Sequence, residues 1–232
     1  MTTTLQPYAD RDLRQRDIVP PVKLASCHAV VIGVGAIGRQ VALQLAAVGI
    51  GSMDLVDFDS VEEVNLAPQG YWPADICCSK VHATAKLCRS INPEIHLGEH
   101  NDRFRRSSAR TLLEPPDGRT GIAVFACVDS ITTRQLIWES VREQAAFFAD
   151  GRMSAETLRV LACDRPISDV YYATTLFGEA EAHAGSCTAK STVYTASIAA
   201  GLMLGQFTRW LRGLPVDRDV MLNLLSMELS VL

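Results

Sequence analysis

Apolar and polar positions alternate between two periods along the first 150 residues. In CHAVVIGVGAIG, Val30, Val31 and Ile32 form a short β-branched run that ends in glycines, the pattern of a buried parallel strand entering a tight turn. AIGRQVALQLAAVG places Ile37, Val41, Leu45 and Val48 at helical spacing with Gly49 as a stop, so it predicts a helix with one face on a sheet. SMDLVDFD alternates from Gly51 towards Asp57 and Asp59 and completes strand, helix and strand within about 30 residues, the size of one such unit, with a right-handed crossover expected.

The alternation continues. SKVHATAKLCRSIN predicts a helix and EIHLGEH a short strand. GIAVFACVDS reads as a buried strand ending in an acid, and Ile137, Val141 and Ala145 in the segment after it sit at four-residue spacing. Beyond FFADGR the texture changes: RMSAETLRVLACD and SDVYYATTL are strand-like, a Gly-, Ala- and Glu-rich loop spans residues 178–185, and VMLNLLSMELSVL predicts a closing strand. Pro115, Pro116 and Gly118 mark a surface turn. This is the pattern of a doubly wound α/β fold with a mostly parallel central sheet and added strands in the C-terminal half.

Residues 191–208 carry no charge, and Gly201 and Gly205 have the small-x-x-x-small spacing of packed membrane helices. Seven Ser, Thr, Tyr and Gln positions lower the hydropathy of the segment. It is read as a core helix whose glycines allow close packing.

The chain has 232 residues, 48% hydrophobic and 21% charged, the balance of one ordinary soluble domain or at most two small ones. Its net charge of -4 offers no general attraction to nucleic acid or anionic lipid. The N-terminal MTTTLQPYADRDLRQRD lacks the apolar segment of a secretory signal, so a cytoplasmic protein is expected. The seven cysteines contain no C-x-x-C pair, which argues against a disulfide scaffold or a four-cysteine zinc site. Cys27, Cys88, Cys127 and Cys163 lie in apolar patterns and read as core.

Gly33, Gly35 and Gly38 satisfy G-x-G-x-x-G after a strand and before a helix, a context in which backbone amides approach a phosphate at the positive helix end. Asp57, 19 residues after Gly38, stands where a carboxylate holds ribose hydroxyls. These features alone fit NAD, FAD, S-adenosylmethionine or ATP. Taken singly, Lys80 fits a solvated lysine, Asp129 a helix cap and Asn65 a turn residue.

In order, VDFDSVEEVNLAPQG, CSKVHATAK and FACVDSITTRQ resemble the ThiF-type family of ATP-dependent activating enzymes, which serve molybdopterin synthase, thiamine sulfur carriers, and ubiquitin and its relatives. The resemblance covers nearly the whole chain as a single domain over residues 1–232. It implies that VVIGVGAIG holds ATP, that Asp57 binds the ribose with Asp59 beside it, that Asn65 and Lys80 lie near the phosphates, and that Asp129 positions magnesium. RDLRQRD is similar to the family's RYxRQ segment, so Arg14 matches the arginine donated to a partner's ATP. A homodimer follows, with a helical segment over residues 1–26 contributing across it. Cys187 in GSCTAKST resembles the Cys-Thr motif that carries a thioester, and His183 lies four residues earlier.

The implied activity is adenylation of the C-terminal glycine of a small ubiquitin-like or sulfur-carrier protein, then transfer to Cys187 for a conjugating enzyme or a sulfur donor. One departure is serious. The family usually reads NLxRQ, and here Asn65, Leu66, Ala67, Pro68 and Gln69 leave no arginine for the phosphates. Either another cation such as Arg152 takes over, or adenylation is slow or lost. The zinc-binding cysteine pairs of the bacterial branch are also missing. An NAD- or FAD-dependent oxidoreductase leaves Lys80 and Asp129 without a task, whereas a degenerate scaffold subunit accommodates Pro68.

Overall fold

The computed structural model describes residues 11–115, 118–176 and 191–232. Cys187, His183, the loop at 178–185 and Pro116 lie outside the described residues. Hydrogen-bonded turns over 11–18 lead into α1 (Pro21–Ala25), β1 (Cys27–Ile32), α2 (Ala36–Val48) and β2 (Ser52–Val56). Short turns flank α3 (Leu66–Gln69), and α4 (Lys80–Ile91) returns to β3 (His96–His100). Then come α5 (Arg106–Leu113), β4 (Gly121–Ala126), α6 (Ile131–Val141), β5 (Phe147–Ser154), β6 (Thr157–Cys163), α7 (Tyr171–Thr174), α8 (Val193–Arg212), β7 (Asp219–Asn223) and β8 (Glu228–Val231).

The eight strands form one sheet in the order β3-β2-β1-β4-β5-β6-β7-β8, parallel from β3 to β5 and antiparallel from β5 onwards. This is the expected doubly wound architecture. Strand order reverses between β1 and β4, so the crevice at their C-terminal ends is where such sheets bind ligands.

β1 is buried on both faces, which explains its unbroken apolar run. Its Ala29 and Val31 join the core under α2, α4 and α8. Val30 and Ile32 join the opposite core under α5 and α6. Phe125, Phe147 and Phe207 pack edge-on or tilted in the first core, and Trp138, Phe148 and Tyr172 in the second.

Four expectations are corrected. The segment SDVYYATTL contains α7 rather than a strand, because Asp169 Oδ1 accepts the Tyr172 amide at 2.8 Å and closes a helical turn. VMLNLLSMELSVL is a hairpin of two strands. Within the described part of residues 1–26, only Pro21–Ala25 is helical. Residues 193–208 of the uncharged segment do fall in α8, whose buried face carries Ala196, Ala199, Ala200, Met203 and Phe207, but Gly201 and Gly205 are exposed and among the described residues pack against nothing closely. Among the described residues, no helix is long and apolar enough to cross a membrane.

Beneath β1 to β3, Asp54 lies 3.3 Å from both His28 Nε2 and His100 Nε2, and Ser52 Oγ is 2.8 Å from His28 Nδ1. Burial pushes the Asp54 carboxyl up, but contacts from His100 and His28 outweigh it and hold it at about 2. Hydrogen bonding to Asp54 raises His100 above its ordinary value against partial burial. A raised histidine stabilises the fold fully below its unfolded value and loses that contribution as pH rises through the folded one. His100→Asn is therefore expected to melt lower than the wild type at about pH 5.5, with the gap closing by about pH 9. A gap that is constant across this range in thermal melts contradicts the assignment.

Candidate functional site

Where β1 and β4 part, the chain builds a cavity of about 420 Å³. Gly33 has φ 85°, and a Cβ there would lie 2.7 Å from the Cys127 carbonyl oxygen, so only glycine lets the loop pass the end of β4. Gly38 supports the same turn from α2, since a Cβ there would overlap the Gly33 carbonyl. Gly35 caps α2 with the space above it open, and it lines the cavity at the positive end of the helix.

Asp57 follows β2 and is buried. Its Oδ2 accepts the Val34 amide at 2.6 Å and its Oδ1 accepts the Asp59 amide at 2.8 Å. Burial pushes its carboxyl up, opposed by those two backbone hydrogen bonds and by Lys80. Asp57 therefore ties the glycine loop to β2 while still lining the cavity.

Lys80 is the first residue of α4, whose cap is Ser79, and only 6% of it is exposed. Its Nζ lies 2.9 Å from Asp59 Oδ2, and both residues line the cavity. Lys80 is thus a held cation and not a solvated one. Asp129 also lines the cavity and is exposed. Ser130, not Asp129, caps α6 by accepting the Thr133 amide, which leaves the Asp129 carboxylate facing the cavity.

Three expected residues stand elsewhere. Asn65 Oδ1 accepts the Glu62 amide at 3.0 Å, and Asn65 is a turn residue outside the cavity lining. Arg14 is exposed on a segment fastened to the C-terminal end of α2, where Arg11 donates to the Ala46 carbonyl at 2.6 Å and Gln15 to the Val48 carbonyl at 2.8 Å. The glycine loop is at the other end of α2, about 20 Å away at 1.5 Å per residue over 13 residues. Arg14 therefore does not reach the cavity of its own chain. Arg152, the other candidate cation, is not among the residues that line the cavity: it pairs with Asp150 at 2.7 Å and donates twice to Thr175 at 3.0 Å.

The structure adds residues that the motifs did not reveal. Arg134 of α6 lines the cavity, buried, paired with Asp150 and donating to the carbonyls of Val128 and Gly151. An arginine on the same helical face as Ile137, Trp138 and Val141 was the available signal. Arg103 lies 3.7 Å over the Phe58 ring, both on the cavity. Gln69 faces the glycine loop with Oε1 buried and, among the described residues, unpartnered. Cys127 lines the cavity rather than sitting wholly in the core, and burial pushes its thiol up to about 12.

A glycine cradle at a helix N-terminus, a held lysine and a buried unpartnered amide oxygen fit a phosphorylated ligand with polar groups of its own. Among the described residues, no group of three or more His, Cys, Asp or Glu is placed to hold a metal ion. Asp129 suits a divalent cation that arrives with phosphates and keeps much of its own water.

A model of the ThiF family matches residues 12–230. The chain is 32% identical over 135 residues to ubiquitin-like modifier-activating enzyme 5 of Mus musculus, covering 54% of this chain and 33% of the relative. It is 32% identical over 117 residues to adenylyltransferase and sulfurtransferase MOCS3 of Anopheles gambiae, 50% of this chain and 25% of that one. It is 34% identical over 116 residues to the probable adenylyltransferase/sulfurtransferase MoeZ of Mycobacterium tuberculosis, 50% and 28%. The matches span a quarter to a third of these relatives. Two solved structures share the fold: PaaA, with TM-score 0.73, 19% identity and coverage of 100% of this chain and 85% of that one, and E. coli MccB with AMPCPP and MccA, with TM-score 0.70, 17% identity and coverage of 99% and 72%.

Proposed function

The chain belongs to the ThiF family, and from that premise we propose that it adenylates the C-terminal glycine of a small ubiquitin-like or sulfur-carrier protein with ATP. The observation that carries this reading is the convergence of Lys80, Asp59, Asp129 and the glycine loop on one cavity at the strand-order reversal. The reading as a dinucleotide oxidoreductase leaves the buried Lys80 and the exposed Asp129 of this cavity without a task. Relatives named as activating enzymes and adenylyltransferases support the same reaction.

In this reaction a carboxylate oxygen of the substrate attacks the α-phosphorus. The bond from that phosphorus to the bridging oxygen breaks, pyrophosphate leaves with the electron pair, and an acyl-adenylate remains. Positioning and electrostatics do most of the work. The loop amides and the α2 terminus meet the phosphates, Lys80 offsets charge on the departing pyrophosphate, and Asp57 keeps the loop in place. Asp129 is the residue that would hold a magnesium ion arriving with the phosphates, and such an ion would supply further charge neutralisation. The remote position of Arg14 on its own chain supports delivery to the cavity of a second copy in a homodimer. Cys187 then takes the acyl group as a thioester, releasing AMP, for a conjugating enzyme or a sulfur donor.

Calorimetry with magnesium-ATP, NAD and FAD tests the reading. Micromolar ATP binding with no response to NAD or FAD is expected. Tight NAD or FAD binding without ATP overturns it, and silence from all three identifies a scaffold subunit. A dithiothreitol-labile adduct with the substrate, absent in Cys187→Ser, is the expected mark of the thioester.

A further inference from the structure

Arginines inside a protein are paired, because an unpaired buried charge is costly. Arg134 and Arg152 follow that rule through Asp150. Arg39 does not. It is 3% exposed, its Nε is buried without a hydrogen-bond partner, and among the described residues no carboxylate lies within ion-pair distance of it. Its guanidinium rests 4.6 Å from the centre of the Tyr71 ring. Asp75 attracts it from beyond ion-pair distance, its Oδ2 accepting the Trp72 amide at 3.0 Å. Burial lowers the Arg39 pKa, so the surroundings do not repay its charge.

The position of this charge is informative. Arg39 lies in the first turn of α2, its amide bonded to the Gly35 carbonyl, and helical side chains lean towards the N-terminus. Tyr71, under the guanidinium, donates its hydroxyl to the Val34 carbonyl at 2.6 Å inside the glycine loop. Arg39 Nη1 lies 3.8 Å from where a Cβ on Gly70 would be. The residue before Gly70 is Gln69, which lines the cavity, and the residue before that is Pro68, which stands where the resemblance places an arginine on the phosphates.

We infer that Arg39 supplies the positive charge missing at Pro68, as a positioning residue one layer behind the cavity wall, acting on the polyphosphate through the Tyr71-braced glycine loop. An apolar residue would pack between α2 and Tyr71 without the penalty of an unpaired ion. Retaining the ion is explained by an anion that arrives with the ligand. The inference rests on the reading that the cavity takes ATP.

The test compares the full chain with its Arg39→Met and Arg39→Lys variants by calorimetry against magnesium-ATP, tripolyphosphate and AMP, together with ligand-free melts. Arg39→Met is expected to weaken ATP and tripolyphosphate roughly ten- to thirtyfold, the reach of a charge one residue layer away at an effective dielectric near 20. AMP should change far less, and Arg39→Lys should restore most of the loss. The ligand-free melt of Arg39→Met should be no lower than the wild type, which a packing role would not allow. If Arg39→Met fails to fold, Arg39→Gln against Arg39→Lys carries the comparison, being similar in length and different in charge. Wild-type tripolyphosphate and ATP binding that survives loss of the charge overturns the inference and leaves the ATP reading intact. A wild-type chain that binds neither ATP nor tripolyphosphate overturns both.

Discussion

Lys80→Ala is expected to weaken ATP binding and ATP–pyrophosphate exchange by about a hundredfold, the scale of removing one preorganised charge from a phosphoryl-transfer site. Two effects add. The substitution removes a cation that lines the cavity, and it releases Asp59, whose Oδ2 lies 2.9 Å from Lys80 Nζ. The freed carboxylate then faces the phosphates without its counter-ion. Asp59→Ala should therefore act more mildly, and the double variant Lys80→Ala with Asp59→Ala should recover part of the affinity lost by Lys80→Ala alone. That sign of coupling separates a phosphate-facing lysine from one that only fastens α4 to the loop after β2, because a purely structural pair gives a double variant no better than the worse single one. Exchange in Lys80→Ala within threefold of the wild type removes the lysine from the site.

The parts that were legible in the sequence were those with local causes. The β-branched run before Gly33, the helical spacing after it and the acid at 57 each follow from backbone geometry within a few residues, and the structure has β1, α2 and β2 there. Lys80 and Asp129 came from motif resemblance, and the cavity brings them together. What failed was set by distant contacts. Tyr171 and Tyr172 have β-propensity, yet the Asp169 side chain accepting the Tyr172 amide and the packing of Tyr172 on Trp138 and Phe148 make a helical turn. The spacing of Gly201 and Gly205 says that they share a face of α8 but not which one, and the larger apolar residues of the other face decide that. Residue type alone offers Arg152 as a cation, but its partner Asp150, which also holds Arg134 from a different element, is set by contacts that the sequence does not show. Buried arginines escape a reading by residue type because the type is usually exposed.

That shared partner makes Asp150→Ala the substitution with the largest expected effect on stability. Asp150 is fully buried in β5 and accepts from Arg152 at 2.7 Å and from the Tyr172 hydroxyl at 2.9 Å while pairing with Arg134. One carboxylate thus serves two guanidinium groups, and alanine leaves both without a counter-ion, together with an unpaired phenol. Removing one partner of a buried pair costs about 3–5 kcal/mol. In a chain of this size that lowers Tm by roughly 10 °C or more. The loss should extend to the site, since Arg134 bonds the Val128 carbonyl next to Asp129 and the Gly151 carbonyl across the cavity floor. Asp150→Asn keeps an acceptor but no charge and should fall between alanine and the wild type. Adding Arg134→Met to Asp150→Ala should recover part of the lost stability, because it withdraws one of the stranded charges, without recovering ATP affinity. Thermal melts of these variants decide the matter, and an Asp150→Ala chain melting within about 2 °C of the wild type, less than 1 kcal/mol, would remove the charge cluster from any account of what holds β5, α6 and α7 together.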